Sequence, residues 1–349
     1  DLYKIALDRA ETIKISEEDL YITEKGKDKA MSLLLPKISA FASYTKYIDE
    51  KKSSTGSIIQ PDNSTSWGLR FHQSLSLSGR EFTALNISEK DIERSRINLQ
   101  SVKEIYLFNI AVAYYDLLLV KKSVDIAKTN VERLKKHRSA AEIRLKVGEV
   151  TKTDLLRAEA ELSGAMAELI RAENNLKLAK ALLARLVGID NDFDIKDASL
   201  IIEDEIKDIL SLKQIAIQNR ADLKALEIQK EITEKQIVYT KGAYWPTISL
   251  EGVYTRKDES PSSPFLNKEA IYGGIKFNFP FFEGGLSKAE VSEAIARKKQ
   301  IDFIYEDKKK SINIEVEEAY LNYVTQKGVL QSFMDRLKFA QDNYNSVSR

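Results

Sequence analysis

The sequence predicts a mixed α and β chain made of two copies of one unit. Each copy holds a pair of amphipathic strands followed by a very long helix, so four strands per chain contribute to a transmembrane barrel shared between copies. Three observations predict it. The segment Pro36-Lys37-Ile38-Ser39 returns about 210 residues later as Pro246-Thr247-Ile248-Ser249. Four segments alternate apolar and polar residues with a period of two. Finally, residues 82–147 contain no Gly and no Pro, and at about 1.5 Å per residue such a helix is roughly 100 Å long.

Composition narrows the function. Among 349 residues, 54 Lys and Arg face 53 Asp and Glu, a formal net charge of +1. That balance argues against a nucleic-acid-binding surface. Cys is absent and His72 and His137 are the only histidines, which excludes thiol chemistry, Cys/His zinc sites and disulfides. No cofactor and no metal site is expected. Residues 108–120 form the best apolar run, but Asn109 and Asp116 interrupt it, so no transmembrane helix is available. The N-terminus lacks a basic-then-apolar leader, which fits either a cytosolic chain or a signal peptide already removed.

The first repeat spans 1–188: a helix, strands over about 37–48 and 67–77, a long helix, a tip at 147–151 and a returning helix. In the first strand Ile38, Ala40, Ala42 and Tyr44 share a face. In the second, Trp67, Leu69, Phe71 and Leu75 alternate with Gly68, Arg70, His72 and Ser74. Residues 189–205 read as a polar linker. Its Asp190, Asp192 and Asp194 suggest calcium, but an EF-hand loop needs Gly sixth and Glu twelfth where this chain has Ile195 and Ile201. The second repeat, 206–349, carries strands over about 246–256 and 271–282, then another long helix. There Ile271, Ile275, Phe277, Phe279 and Phe281 alternate with Tyr272, Gly274, Lys276, Asn278 and Pro280. Counterparts of everything beyond about Ile143 would fall after Arg349, so this repeat reads as incomplete.

A soluble sheet with one face on a core is the plainer reading of these strands. Long polar loops (49–66 and 257–270) and helices too long to cover a small sheet favour a barrel. Four strands cannot close in lipid, where open edges leave backbone groups unpaired. Two chains give eight strands; three give twelve and leave a lumen, since diameter grows with strand number. Arg70, His72, Lys276 and Asn278 would face that lumen. Trp67, Leu69, Phe71, Ile275, Phe277, Phe279 and Phe281 would face lipid.

The long helix carries a seam of Tyr106, Ile110, Ala113, Leu117, Val120, Val124, Ala127, Val131, Leu134, Ala141 and Leu145, the three-four spacing of a coiled coil. Beside it runs a second ridge of Phe108, Val112, Tyr115 and Leu119, which implies a second neighbour. Arg138 interrupts the seam and reads as either a polar contact between helices or, in preference, a snorkelling side chain. Gly148 ends the helix, Thr151 caps the next and Asp154 suits its positive N-terminus. In the returning helix Leu155, Leu162, Leu169, Leu176 and Leu183 alternate with Ala158, Ala165, Ala172 and Ala179, so two antiparallel helices can approach closely.

Together these segments resemble the TolC family of outer-membrane efflux proteins. The resemblance rests on Leu35-Pro36-Lys37-Ile38-Ser39 and its echo Trp245-Pro246-Thr247-Ile248-Ser249, and on Phe281-Phe282-Glu283-Gly284-Gly285. Asn219-Arg220-Ala221-Asp222-Leu223 is similar to a family segment that has Pro where this chain has Ala221. The resemblance implies a homotrimer with a twelve-stranded barrel in the outer membrane of a Gram-negative-type bacterium, continuous with an α-helical barrel in the periplasm. It implies a passive exit duct for a tripartite efflux pump or type I secretion system. The partners would be a periplasmic adaptor, an inner-membrane transporter or secretion ATPase, and outer-membrane lipid. By position, Val147, Gly148, Glu149 and Val150 would be the adaptor-contacting tip and Asp154 would stand at the periplasmic aperture.

Two other readings remain at this point. A periplasmic coiled-coil adaptor or scaffold without a pore also uses long hairpins, but needs only one per chain. An enzyme is disfavoured, because the sequence shows no Ser-His-Asp set, phosphate loop or metal cluster.

Overall fold

The computed structural model describes residues 2–190, 193–196, 208–264 and 266–347. Two compact units emerge: residues 1–18 with 99–206, and residues 19–98 with 207–349. The elements run α1 (Leu2–Arg9), α2 (Glu11–Ser32), β1 (Lys37–Lys46), β2 (Lys51–Lys52), β3 (Ile58–Gln60), β4 (Asn63–Ser76), α3 (Arg80–Lys146) and α4 (Lys152–Val187). After the linker come α5 (Ile209–Asn219), α6 (Ala221–Lys241), β5 (Thr247–Ser260), β6 (Glu269–Asn278) and α7 (Leu286–Val347).

In the first unit α1, the start of α2, the later part of α3, and α4 enclose one core of Ala6, Ala10, Ile13, Tyr106, Ile110, Leu117, Leu183 and Val187. The predicted seam is the buried one, since Ile110, Leu117, Val124, Val131 and Leu134 are all inside. By contrast Phe108, Val112, Tyr115 and Leu119 stay exposed. The chain itself therefore covers one of the two ridges. Arg138 corrects the sequence reading: it pairs with Glu142 at 2.7 Å and with Glu159 of α4 at 3.2 Å. The carboxylate across the hairpin holds the guanidinium, so it ties the two helices instead of snorkelling. Within the segment read as a polar linker, Ile195 is buried in the same core, while Lys121 holds Asp194 at 2.9 Å. Asp192, part of the calcium reading, and residues 197–205 lie outside the described residues.

In the second unit the strands form one antiparallel sheet in the order β1-β4-β5-β6, with β2 and β3 as a small separate ribbon. Strand ends differ from expectation. The second strand begins at Asn63 and the third runs on to Ser260, because Asn63–Ser66 pair with both β1 and β5. Their Ser- and Thr-rich sequence reads as loop, yet a ladder needs only backbone groups. The last strand stops at Asn278, so Phe279 and Phe281 lie past its end. Pro280 has no N–H to continue a ladder, and Gly284 and Gly285 turn the chain with positive φ of 63° and 88°.

Among the helices of this unit, α6 buries Leu223, Ala225, Ile228 and Ile232, α7 buries Ala294 and Ile312, and ion pairs join neighbours. Lys90 of α3 reaches Glu231 of α6 at 2.9 Å, Lys27 of α2 reaches Glu89 at 2.9 Å, and Lys213 of α5 reaches Glu317 of α7 at 2.7 Å. The Asn219–Leu223 segment has a structural role here. Arg220 closes α5 and opens α6, and its guanidinium engages both Asp222 and Glu315. Lys308 of α7 adds a contact to Asp222 at 2.8 Å. Partial burial would raise the Asp222 carboxyl, but the hydrogen bonds from Arg220 and Lys308 outweigh it and hold it down to about 2.

Two outcomes follow from this packing. Leu117→Ala should destabilise the first unit by about 2–5 kcal/mol, the cost of emptying a fully buried leucine site, measured by denaturant unfolding in detergent. Asp222 ionises lower in the fold than its ordinary 3.8, so its contribution is complete above that value and vanishes as pH falls through about 2. Melting temperatures of the native chain and Asp222→Asn should therefore differ near neutral pH and converge toward pH 2.

Candidate functional site

The register assigns every strand residue to a face, because directly paired residues point the same way. One face carries Ile38, Ala40, Ala42 and Tyr44 from β1, and Trp67, Leu69, Phe71 and Leu75 from β4. Opposite them on β5 and β6 lie Ile248, Leu250, Tyr254, Ile271, Ile275 and Phe277. The other face carries Ser39, Ser43, Ser66, Arg70, His72 and Ser74, with Ser249, Glu251, Thr255, Lys276 and Asn278. The four apolar alternations thus fall into a single phase. A slip of one residue in any pair would have scattered them across both faces.

Among the described residues nothing covers the apolar face. Ile38 is 73% exposed, Ile271 83% and Ile275 77%. At the loop end the band closes with polar groups: Arg256 meets Glu269 at 3.3 Å and Asp258 at 3.9 Å. Beside them Trp67 stacks edge-on against Tyr254 with ring centroids 5.8 Å apart. From Leu75 to Trp67 the band runs eight residue steps, about 27 Å along the strand. A tilt of about 40° brings that to roughly 20 Å across, close to the apolar band of an outer-membrane barrel.

The polar face is ordered by its own contacts. Arg70 pairs with Glu251 at 3.3 Å and stacks on the Phe41 ring at 5.6 Å. Phe41 can lie across β4 only because Gly68 is opposite. A Cβ there would sit 2.1 Å from the Tyr254 carbonyl oxygen and 2.8 Å from Phe41 Cζ. Hydroxyl pairs span the strands, Ser43 with Ser66 at 2.7 Å and Ser249 with Ser74 at 3.0 Å. Where the strands meet the helices, a cavity of about 290 Å³ opens among Lys37, His72, Ser74, Arg80 and Tyr239.

The hairpin tip is equally well defined. Gly148 takes φ of 82°, the N–H of Glu149 reaches the Arg144 carbonyl at 2.9 Å, and the N–H of Gly148 reaches Leu145 at 3.1 Å. That pair of bonds is a Schellman ending, which consumes two otherwise orphaned carbonyls. Thr151 then caps α4: its side chain accepts from the Asp154 N–H, and its own N–H donates to Asp154 at 2.9 Å. The hydrogen bonds from Thr151 hold the Asp154 carboxyl below its ordinary value. Val147 is exposed, as are Gly148 and Glu149, with Val150 half-buried.

The residues assigned to lumen and lipid therefore divide between the two faces as grouped in the sequence, apart from Phe279 and Phe281, which lie beyond the strand. Sequence reasoning missed Lys37 and Glu251 on the polar face and the Arg256–Glu269–Asp258 boundary. Carrying the period of two through all of β5 from Pro246 would have found Glu251 and Arg256.

An amphipathic antiparallel sheet running into helices of more than sixty residues is the protomer fold of outer-membrane channels. The chain belongs to the outer membrane efflux protein family, whose model matches residues 2–189 and 212–349. The outer membrane is accordingly its location. It is 23% identical to the outer membrane protein TolC of Escherichia coli over 282 residues, covering 76% of this chain and 56% of TolC. The chain spans about half the length of the curated relatives it matches. In structure it is similar to the outer-membrane channel OprN, with TM-score 0.80 and 20% identity over 95% of this chain and 75% of that one. The CmeC outer membrane channel of Campylobacter jejuni gives TM-score 0.78 and 17% identity over 99% of this chain and 76% of CmeC.

The close approach at Gly68 makes a sharp test. Gly68→Ala should push β4 off β5 and abolish the detergent-resistant folded species seen as a heat-dependent gel shift. Gly273→Ala, where a Cβ finds nothing nearer than 3.5 Å, should leave that species intact.

Proposed function

We propose that this chain is one protomer of a passive outer-membrane exit duct. Three copies pool their sheets into a twelve-stranded barrel, wide enough to enclose water where eight strands would be filled by side chains. Trp67, Leu69, Phe71, Ile275 and Phe277 face lipid; Arg70, His72, Lys276 and Asn278 face the lumen. The long helices continue the wall into the periplasm. There the exposed ridge of Phe108, Val112, Tyr115 and Leu119 meets a helix of the neighbouring copy.

One observation carries this reading: among the described residues the sheet leaves both its apolar face and the outer ladders of β1 and β6 uncovered. Lipid satisfies the first and a second copy of the chain satisfies the second. Supporting it, two solved structures of similar fold are described as outer-membrane channels. In this duct Val147, Gly148, Glu149 and Val150 meet a periplasmic adaptor, and an inner-membrane transporter or secretion ATPase supplies the energy. Asp154 stands at the aperture, kept ionised by its cap.

The two faces predict opposite tolerance to charge. Leu69→Arg, on the apolar face, should block outer-membrane insertion at a cost of about 2–4 kcal/mol near mid-bilayer. Ser39→Lys, on the polar face, should insert and run as a trimer. Fractionation followed by native electrophoresis reads both, and equal tolerance of the two substitutions would sink the duct.

A further inference from the structure

Charge is distributed unevenly along the polar face. Toward the loops, Lys257 and Glu259 neutralise each other at 2.6 Å. At the helix end lie three cations, Lys37 on β1, Arg70 on β4 and Lys276 on β6, against the single carboxylate of Glu251. That carboxylate is taken by Arg70 at 3.3 Å. Lys37 and Lys276 are exposed and have no hydrogen-bond or ion-pair partner among the described residues. The face therefore keeps two uncompensated positive charges, both within its last rows before the helices.

A further cation stands close by. Lys37 and His72 line the cavity at the strand ends together with Arg80, whose guanidinium stacks on Tyr239 at 4.4 Å. The Arg80 Nε is buried and has no hydrogen-bond partner among the described residues. The one acid in that lining, Glu81, accepts from the Ser76 N–H at 3.1 and 3.2 Å and offsets the charge of Arg80, so the excess rests on Lys37 and Lys276. Lys37 and Lys276 also stand on opposite edge strands of the sheet. Pairing β6 of one copy with β1 of the next would bring each Lys276 toward a neighbour's Lys37 and spread the cations around the ring.

We propose that this basic belt at the helix end of the barrel lumen makes the duct selective for anionic solutes, with Lys37 and Lys276 as its specificity-determining residues. The proposal rests on the duct reading and deepens it by naming the substrate class. Rings of Lys or Arg around a wet pore favour anions because the low-dielectric wall focuses their field on the solution inside. The belt acts over about one Debye length, about 10 Å at 0.1 M salt and about 3 Å at 1 M.

The test is the reversal potential of the purified protein in a planar bilayer across a potassium chloride gradient. The native chain should prefer chloride over potassium, and the preference should shrink as salt rises toward 1 M. Lys37→Gln combined with Lys276→Gln should lower the chloride-to-potassium permeability ratio by about threefold or more. Lys37→Arg with Lys276→Arg should keep the native ratio, which separates charge from damage to the barrel. A conducting native pore that prefers potassium overturns the belt while leaving the duct intact. So does a double Gln variant with the native reversal potential. Absence of any conductance from the native protein overturns the duct reading itself, and the belt with it.

Discussion

The rest of the structure depends on the demand for partners made by a four-stranded sheet with free edges. Its outer strands each present a row of N–H and C=O groups, and its apolar side presents Ile38, Ile271 and Ile275 to whatever surrounds it. Water would satisfy the edges but not the face. Hydrocarbon would satisfy the face but not the edges. Only a closed ring of strands set in lipid satisfies both, and the phase-matching of all four strands shows that the sequence is built for a single oriented face. Gly68 is part of the same requirement. It lets Phe41 fold across the polar side, where the Arg70 guanidinium stacks on it and keeps its ion pair with Glu251.

The helices solve a different problem. A helix of 67 residues cannot bury itself in one core, and its hydrophobic seam is covered only where α1, the start of α2 and α4 lie along it. Charge supplies much of the remaining specificity. Arg138 to Glu159 fixes α3 against α4, Lys90 to Glu231 fixes α3 against α6, and the Arg220–Asp222–Lys308 group fixes α6 against α7. Exposed pairs of this kind are individually weak. The Asp222 group is the exception, because partial burial strengthens each contact and removing one partner strands the others. That is a physical reason for the Asn219–Leu223 segment to carry its particular order of residues.

Much of this was legible in the sequence, and where it was not the reason is local. Period-two alternation exposed the strands around Trp67–Leu75 and Ile271–Phe277, and the absence of Gly and Pro exposed the long helix. Gly148, Thr151 and Asp154 announced the hairpin turn, which closes with the expected left-handed Gly and a reciprocal cap. Polar strand residues such as Ser64 and Thr65 were invisible, because hydroxyl-rich segments read as loop until a backbone partner is known. Phe279 and Phe281 misled in the opposite direction: they keep the rhythm of β6 after Pro280 has ended its ladder. The contact from Arg138 to Glu159 depends on how two helices align, which no single-helix pattern contains.

In the proposed duct these two kinds of uncovered surface set an order of assembly. An exposed ridge of Phe108, Val112, Tyr115 and Leu119 in water costs only hydrophobic free energy, roughly in proportion to its area, so a lone protomer can carry it for a time. An unpaired strand edge inside hydrocarbon costs several kcal/mol for each stranded backbone group. β1 and β6 are ten residues each, so a single sheet entering lipid would accumulate a penalty far beyond the stability of any domain. In that duct the strand edges would therefore have to find partners before or as they enter the bilayer. If the exposed ridge is where copies meet, it would bring the strand edges together while water still satisfies them.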